Sequence, residues 1–246
     1  MRRFTPLFVL IFALFPILHS SCIFHRGEVK GNYHVVSDTL EIGDYDAIEL
    51  SVGAEIIYRQ MSQSEPFLQI STDENIMPAL LIQVKNNRLI IESKTDSILR
   101  PSRMIIYTNS KNLKDICILS SGDVRLENEV NAQEMNIVIN GSGDVKADSL
   151  FCETLNLKIN GSGDIMLAGA ANSAKFRISG SGDIFAEKFL IQEVDCRING
   201  SGDISTYVAR KLHASINGSG DLQYFGNPES VVTSINGSGE IQKVNR

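Results

Sequence analysis

Proline is missing from Ser102 to Asn227, so every backbone N–H across the C-terminal half is free to donate, as continuous strand pairing requires. Cysteine is scarce as well. Of four in 246 residues, Cys117, Cys152 and Cys196 remain once Cys22 is set aside, an odd number with no CxxC spacing. That excludes a disulfide framework and a cysteine-based metal cluster. The histidines His19, His25, His34 and His213 are scattered, so a zinc or Cys-His site would need long-range convergence. Positive charge is short too: the formal net charge is −6 and no basic run follows the N-terminus, which removes nucleic acid as a partner. No cofactor signature is present, and no catalytic residue is assigned.

Long apolar runs are limited to Pro6–Leu18, preceded by Arg2 and Arg3. That run is too short to span a bilayer comfortably and reads as a targeting segment. It leads into Leu18-His19-Ser20-Ser21-Cys22, which resembles a bacterial lipoprotein signal, with Cys22 acylated as the mature N-terminus. His19 departs from the small or aliphatic residue usual at its place. An ordinary cleavage near Ser21 and an uncleaved anchor are the alternatives.

The dominant feature is an internal repeat. Ser121-Gly122-Asp123 is followed by Gly-Ser-Gly-acid copies ending at Asp144, Asp164, Asp183, Asp203, Asp221 and Glu240. Successive acids are separated by 21, 20, 19, 20, 18 and 19 positions. Five residues before each acid stands an isoleucine: Ile118, Ile139, Ile159, Ile178, Ile198, Ile216 and Ile235. Seven before lie Ile116, Ile137, Leu157, Phe176, Cys196, Ala214 and Thr233, with mostly polar residues between. Apolar residues two apart are the signature of a half-buried strand. Each copy is therefore expected to give one strand before the glycines and another after them. The glycines are read as supplying backbone conformations closed to other residues, and Ser and Asp as bonding nearby amides to hold a corner.

One bend per repeat of about twenty residues favours parallel coils over antiparallel hairpins, because a coil returns the same bend to the same edge on every turn. Seven rungs at the ordinary strand spacing make a rod about 30 Å long. Stacking makes the isoleucines a buried ladder. Cys196 joins the core, and Cys117, of opposite parity, faces outward, so the two should not pair.

Four segments are expected: signal peptide 1–21, a linker 22–30 after the lipidated cysteine, an N-terminal β region 31–110, and the repeat solenoid 111–246. Residues 31–110 lack the motif but remain strand-like, as in Ala47–Val52, Phe67–Ile70 and Met104–Tyr107, and Asn86-Asn87 reads as a hairpin turn. Ser51-Val52-Gly53-Ala54-Glu55-Ile56 looks like a decayed bend. The region either continues the solenoid irregularly or caps its first rung. At the other end, only Ile241 to Arg246 follow the last motif, so a final incomplete rung could be covered by a partner, including a second copy, or be protected by Lys243 and Arg246.

The Asn-Gly-Ser-Gly-Asp-Ile series, with Asp44-Tyr45-Asp46-Ala47-Ile48 and Val84-Lys85-Asn86-Asn87-Arg88-Leu89 before it, resembles the auto-transporter adhesin head domain family, also called the GIN domain. The resemblance implies an all-β, right-handed parallel β-helix-like fold in the envelope of Bacteroidetes, as an outer-membrane lipoprotein facing the periplasm or the cell surface.

The acids Asp123, Asp144, Asp164, Asp183, Asp203, Asp221 and Glu240 form the most tempting site, a stripe that could hold calcium. The alternative is that they cap amides at the bend. Asn140, Asn160, Asn199, Asn217 and Asn236 suggest an amide ladder. A polysaccharide lyase or hydrolase would need non-repeating acids with a base on one face. Lys158, Arg177 and Arg197 instead look like a solvated surface. The expected function is a non-catalytic envelope module, tethered to the membrane by its lipid and engaging a glycan or another surface protein.

Overall fold

A computed structural model describes residues 27–95 and 97–245. The signal segment and Cys22 lie outside the described residues. From Asp115 onward the chain winds as parallel coils. Asp115–Ile118 pairs with Val130–Ile139, and Asp123–Glu127 with the start of Val145–Ile159. Ile165–Gly180, Ile184–Gly200 and Ile204–Gly218 follow, each parallel to the last. Leu222–Phe225 and Ser230–Gly237 build the next turn, and Ile241–Lys243 begins another. The expected pair of strands per copy holds at both ends of the stack. In the middle, each turn is a single strand of 15 to 17 residues. Register shifts such as that between Ala147 and Leu150 bend these strands without ending them.

Registration places like on like. Ile118, Ile139, Ile159, Ile178, Ile198, Ile216 and Ile235 are consecutive partners down the stack. The first six are at most 1% exposed, and each buried isoleucine contributes roughly 1.5–3 kcal/mol. The ladder stops short of its last member: Ile235 is 47% exposed, because its strand is stacked on one side only. Cys196 is fully buried, whereas Cys117 is half-buried between the buried Ile116 and Ile118.

Residues 31–110 both continue the stack and close it. Ala47–Leu50 and Glu55–Gln60 form a complete coil beneath Asp115–Glu127, with Glu55 under Asp123 and Ile56 under Val124. The decayed bend is thus a true bend of the solenoid. The rung below it comes later in the chain, from Arg88–Ser93 and Met104–Ser110. Antiparallel strands then cover that rung. Leu80–Lys85 joins Arg88–Ser93 through the turn at Asn86 and Asn87, both at positive φ, and Phe67–Asp73 lies between Met104–Ser110 and Val35–Glu41. Antiparallel pairing ends a parallel stack because it reverses the chain instead of offering the next turn.

Asp73 fastens this cap. Its fully buried carboxylate accepts hydrogen bonds from the N–H of Tyr33 (2.7 Å) and from the N–H and hydroxyl of Ser102 (2.6 and 2.8 Å). Burial alone would raise this carboxyl. The Ser102 hydroxyl and the N–H groups of Ser102, Tyr33 and Arg103 outweigh it and hold the group below its ordinary 3.8. A depressed pKa stabilises the fold above the unfolded value, and that stability is lost as pH falls through the folded one. Below pH 3.8, amide exchange is therefore expected to lose protection at Tyr33, Ser102 and Arg103 before the coil bends. Asp73→Asn should open the same amides at neutral pH.

Candidate functional site

At the bends, the carboxylates are already occupied. Asp123 accepts the N–H of Asp144 (2.9 Å), Asp144 that of Asp164 (2.8 Å), and Asp164 that of Asp183 (2.8 Å). Asp183 then accepts from Asp203 (2.7 Å), Asp203 from Asp221 (2.7 Å), and Asp221 from Glu240 (2.8 Å). The acids do bond bend amides, but those of the following coil and not their own. Each carboxylate thus takes the place of a backbone acceptor for the acid's N–H one coil later. Among the described residues, no three His, Cys, Asp or Glu side chains converge as a metal site.

The glycines answer mainly to stacking. Gly143, Gly163, Gly182, Gly202, Gly220 and Gly239 have ordinary φ, yet a Cβ on any of them would press into the carbonyl oxygen of the matching glycine one coil earlier. The preceding glycines at 180, 200, 218 and 237 do adopt positive φ, as the conformational reading requires. In the decayed bend, Ala54 occupies the second-glycine position, and the rung beneath passes from Arg88–Ser93 to Met104–Ser110 by a longer connection through Ile98–Arg100 that lacks the motif. The asparagine ladder is broken into separate pairs, Asn160 to Asn140 (2.6 Å) and Asn236 to Asn217 (3.1 Å), with Ser179 interrupting the column.

Among the described residues, the stacked coils carry two of the concavities on their lateral faces. The larger, about 780 Å³, runs across consecutive coils where the chain turns between faces. Its floor is the register column Asn131, Phe151, Ala170, Leu190. Phe151 is 40% and Leu190 42% exposed. Beside them runs a polar column, Gln133, Glu153, Asn172 and Gln192. Glu153 accepts a hydrogen bond from Asn172, Glu134 accepts one from Asn156 (3.1 Å), and Lys114 is paired with Asp46 (2.6 Å). Cys152 lies in the same groove with its thiol pushed up to about 12 by burial and by the nearby charge of Glu153.

The smaller concavity, about 580 Å³, contains Asp195, which is paired with Arg177 (2.8 Å) and lies 3.6 Å from His213 Nδ1. Arg177 is therefore held in an ion pair rather than freely solvated, while Arg197 is half-exposed 3.4 Å from the same carboxylate. The groove was not singled out from sequence, although its signal was present. Leu150-Phe151 and Phe189-Leu190 put two apolar residues in succession, and the second of each breaks the alternation and faces out.

A family model described as "Putative auto-transporter adhesin, head GIN domain" matches residues 44–228. A putative adhesin from Bacteroides fragilis is 26% identical with a TM-score of 0.82, the match covering 88% of this chain and 100% of that one. A putative lipid binding protein from Parabacteroides distasonis is 30% identical with a TM-score of 0.74, covering 88% and 99%. A putative adhesin from Parabacteroides merdae is 27% identical with a TM-score of 0.69, covering 89% and 99%. No curated protein matches the chain.

Proposed function

The chain belongs to the auto-transporter adhesin head GIN domain family, and from that premise we propose that it is an exported, non-catalytic binding module of the cell envelope, anchored through Cys22. The groove carries this reading: a fold that buries its isoleucines leaves Phe151 and Leu190 in solvent on either side of Ala170 in one concavity. A non-catalytic role is supported by the state of the reactive groups. Burial raises the pKa of Cys117, Cys152 and Cys196, so none is a ready thiolate. The groove carboxylates are held by asparagine amides, and Asp195 is neutralised by Arg177. Cys22 precedes the first strand, Glu28–Lys30, by six residues, a reach of about 20 Å, which keeps the cap near the bilayer and the later coils away from it.

Cells carrying the full chain test both halves of this reading. Cys22→Ala should move the protein from the membrane fraction to the soluble one. The detergent-solubilised chain should bind at least one member of an array of glycans, lipid vesicles and envelope proteins. Ala170→Arg, which fills the groove floor, should weaken that binding at least about ten-fold. An array on which nothing binds, or binding indifferent to Ala170→Arg, would overturn the groove as the functional face.

A further inference from the structure

The groove has a chemical character that narrows its ligand. Its hydrogen-bonding capacity is dominated by carboxamides, and the side chains of Asn112, Gln133 and Gln192 make no hydrogen bond among those found between described residues. A free carboxamide offers both donors and an acceptor, which matches hydroxyl groups that also do both. Among the described residues that line the groove, the one cation, Lys114, is occupied by Asp46, and the carboxylates of Glu134 and Glu153 leave the local charge negative. An anionic ligand would meet repulsion and no free counter-charge. A hydrocarbon chain would strip water from the amides and give nothing in return. Phe151 and Leu190 add a solvent-facing apolar surface against which the C–H face of a sugar ring can lie.

Spacing supplies the second constraint. The polar column contributes one side chain per coil, at Gln133, Glu153, Asn172 and Gln192, and parallel coils advance by about 4.8 Å. Four coils therefore present hydrogen-bonding groups over about 14 Å at intervals comparable to one sugar of an extended chain. A compact or branched glycan would engage one interval only.

Resting on the reading of this groove as the binding face, we propose that it takes a neutral, extended oligosaccharide lying along the coil axis, about one sugar per coil. The full-length protein in detergent is titrated calorimetrically with neutral β-1,4-linked tetramers of glucose, xylose and N-acetylglucosamine, with their dimers, with tetragalacturonate, and with phosphatidylcholine vesicles. At least one neutral tetramer should bind at least about ten-fold more tightly than its dimer and than tetragalacturonate. Phe151→Ala should weaken it about ten-fold or more, and so should Gln192→Ala, since Phe151 is exposed, Gln192 is half-buried, and neither belongs to the buried core. Failure of all neutral tetramers, dimer affinity equal to tetramer affinity, tighter binding of tetragalacturonate, or indifference to both substitutions overturns the proposal. If the vesicles or another array member bind instead and Ala170→Arg abolishes that, the groove remains the binding face and only the glycan assignment falls. If nothing binds in either experiment, both fall.

Discussion

Gly163→Ala is expected to destabilise the purified protein by about 3 kcal/mol or more in urea unfolding, while Gly53→Ala stays within about 0.5 kcal/mol of the parent. The two positions differ in what stands one coil earlier. A Cβ on Gly163 would press into the carbonyl oxygen of Gly143 and stand 2.9 Å from its carbonyl carbon, backbone atoms that no rotamer change can move aside. Relief requires the two coils to part at the bend, which strains the bonds from Ser162 N–H to Gly141 (3.0 Å) and from Asp164 N–H to Asp144 (2.8 Å). A Cβ on Gly53 meets only Ser121 Oγ at 3.4 Å, ordinary contact. Alanine also stiffens the unfolded chain, which returns about 0.4–1 kcal/mol at either site and is too small to offset the clash. The φ of Gly163 is not positive, so a purely conformational account of the motif predicts little loss there. A Gly163→Ala protein as stable as the parent would refute the stacking account.

That contrast marks what was legible in the sequence. Periodicity placed Ile118 to Ile216 in the core and the bends at one edge, because both depend on spacing alone. The identity of Glu55 as the bend acid of an earlier coil was also readable, since Ile56 kept the apolar place after it. Less accessible was the order of the rungs. Arg88–Ser93 and Met104–Ser110 lie beneath a coil that precedes them in the chain, a placement fixed by long-range pairing and unmarked by any motif. The two glycines of a bend look alike in sequence, and both press against the backbone of the coil before, yet only the first, as at Gly180, also needs a positive φ, which Gly182 does not. The groove escaped for a different reason. It is built from outward positions of neighbouring coils, and a search for repeating residues passes over Phe151 and Leu190 because they do not repeat.

The bend acids permit a test that separates structure from cation binding. Asp164→Ala is expected to cost about 1–3 kcal/mol at pH 7, since it leaves the N–H of Asp183 without its acceptor in a half-buried bend. Asp164→Asn keeps an acceptor oxygen at the same reach and should lie within about 0.5 kcal/mol of the parent. Were the stripe a cation site, both substitutions would delete the same charge and act alike, and both would matter only when the cation is supplied. The pH dependence adds an independent reading. Burial raises the carboxyl of Asp183, the N–H of Asp203 opposes the rise, and the charges of Asp164 and Asp203 add to it. A raised acid binds its proton more readily in the folded chain than in the unfolded one, so the parent gains stability as pH falls through the folded value toward 3.8. Asp164→Asn removes one of the two neighbouring charges, so its gain over the same interval should be smaller. Urea unfolding of the three proteins at pH 7 and just above pH 4 would show the pattern. Equal losses for alanine and asparagine would mean that the carboxylate charge, and not the acceptor it presents to the next coil, holds the bend.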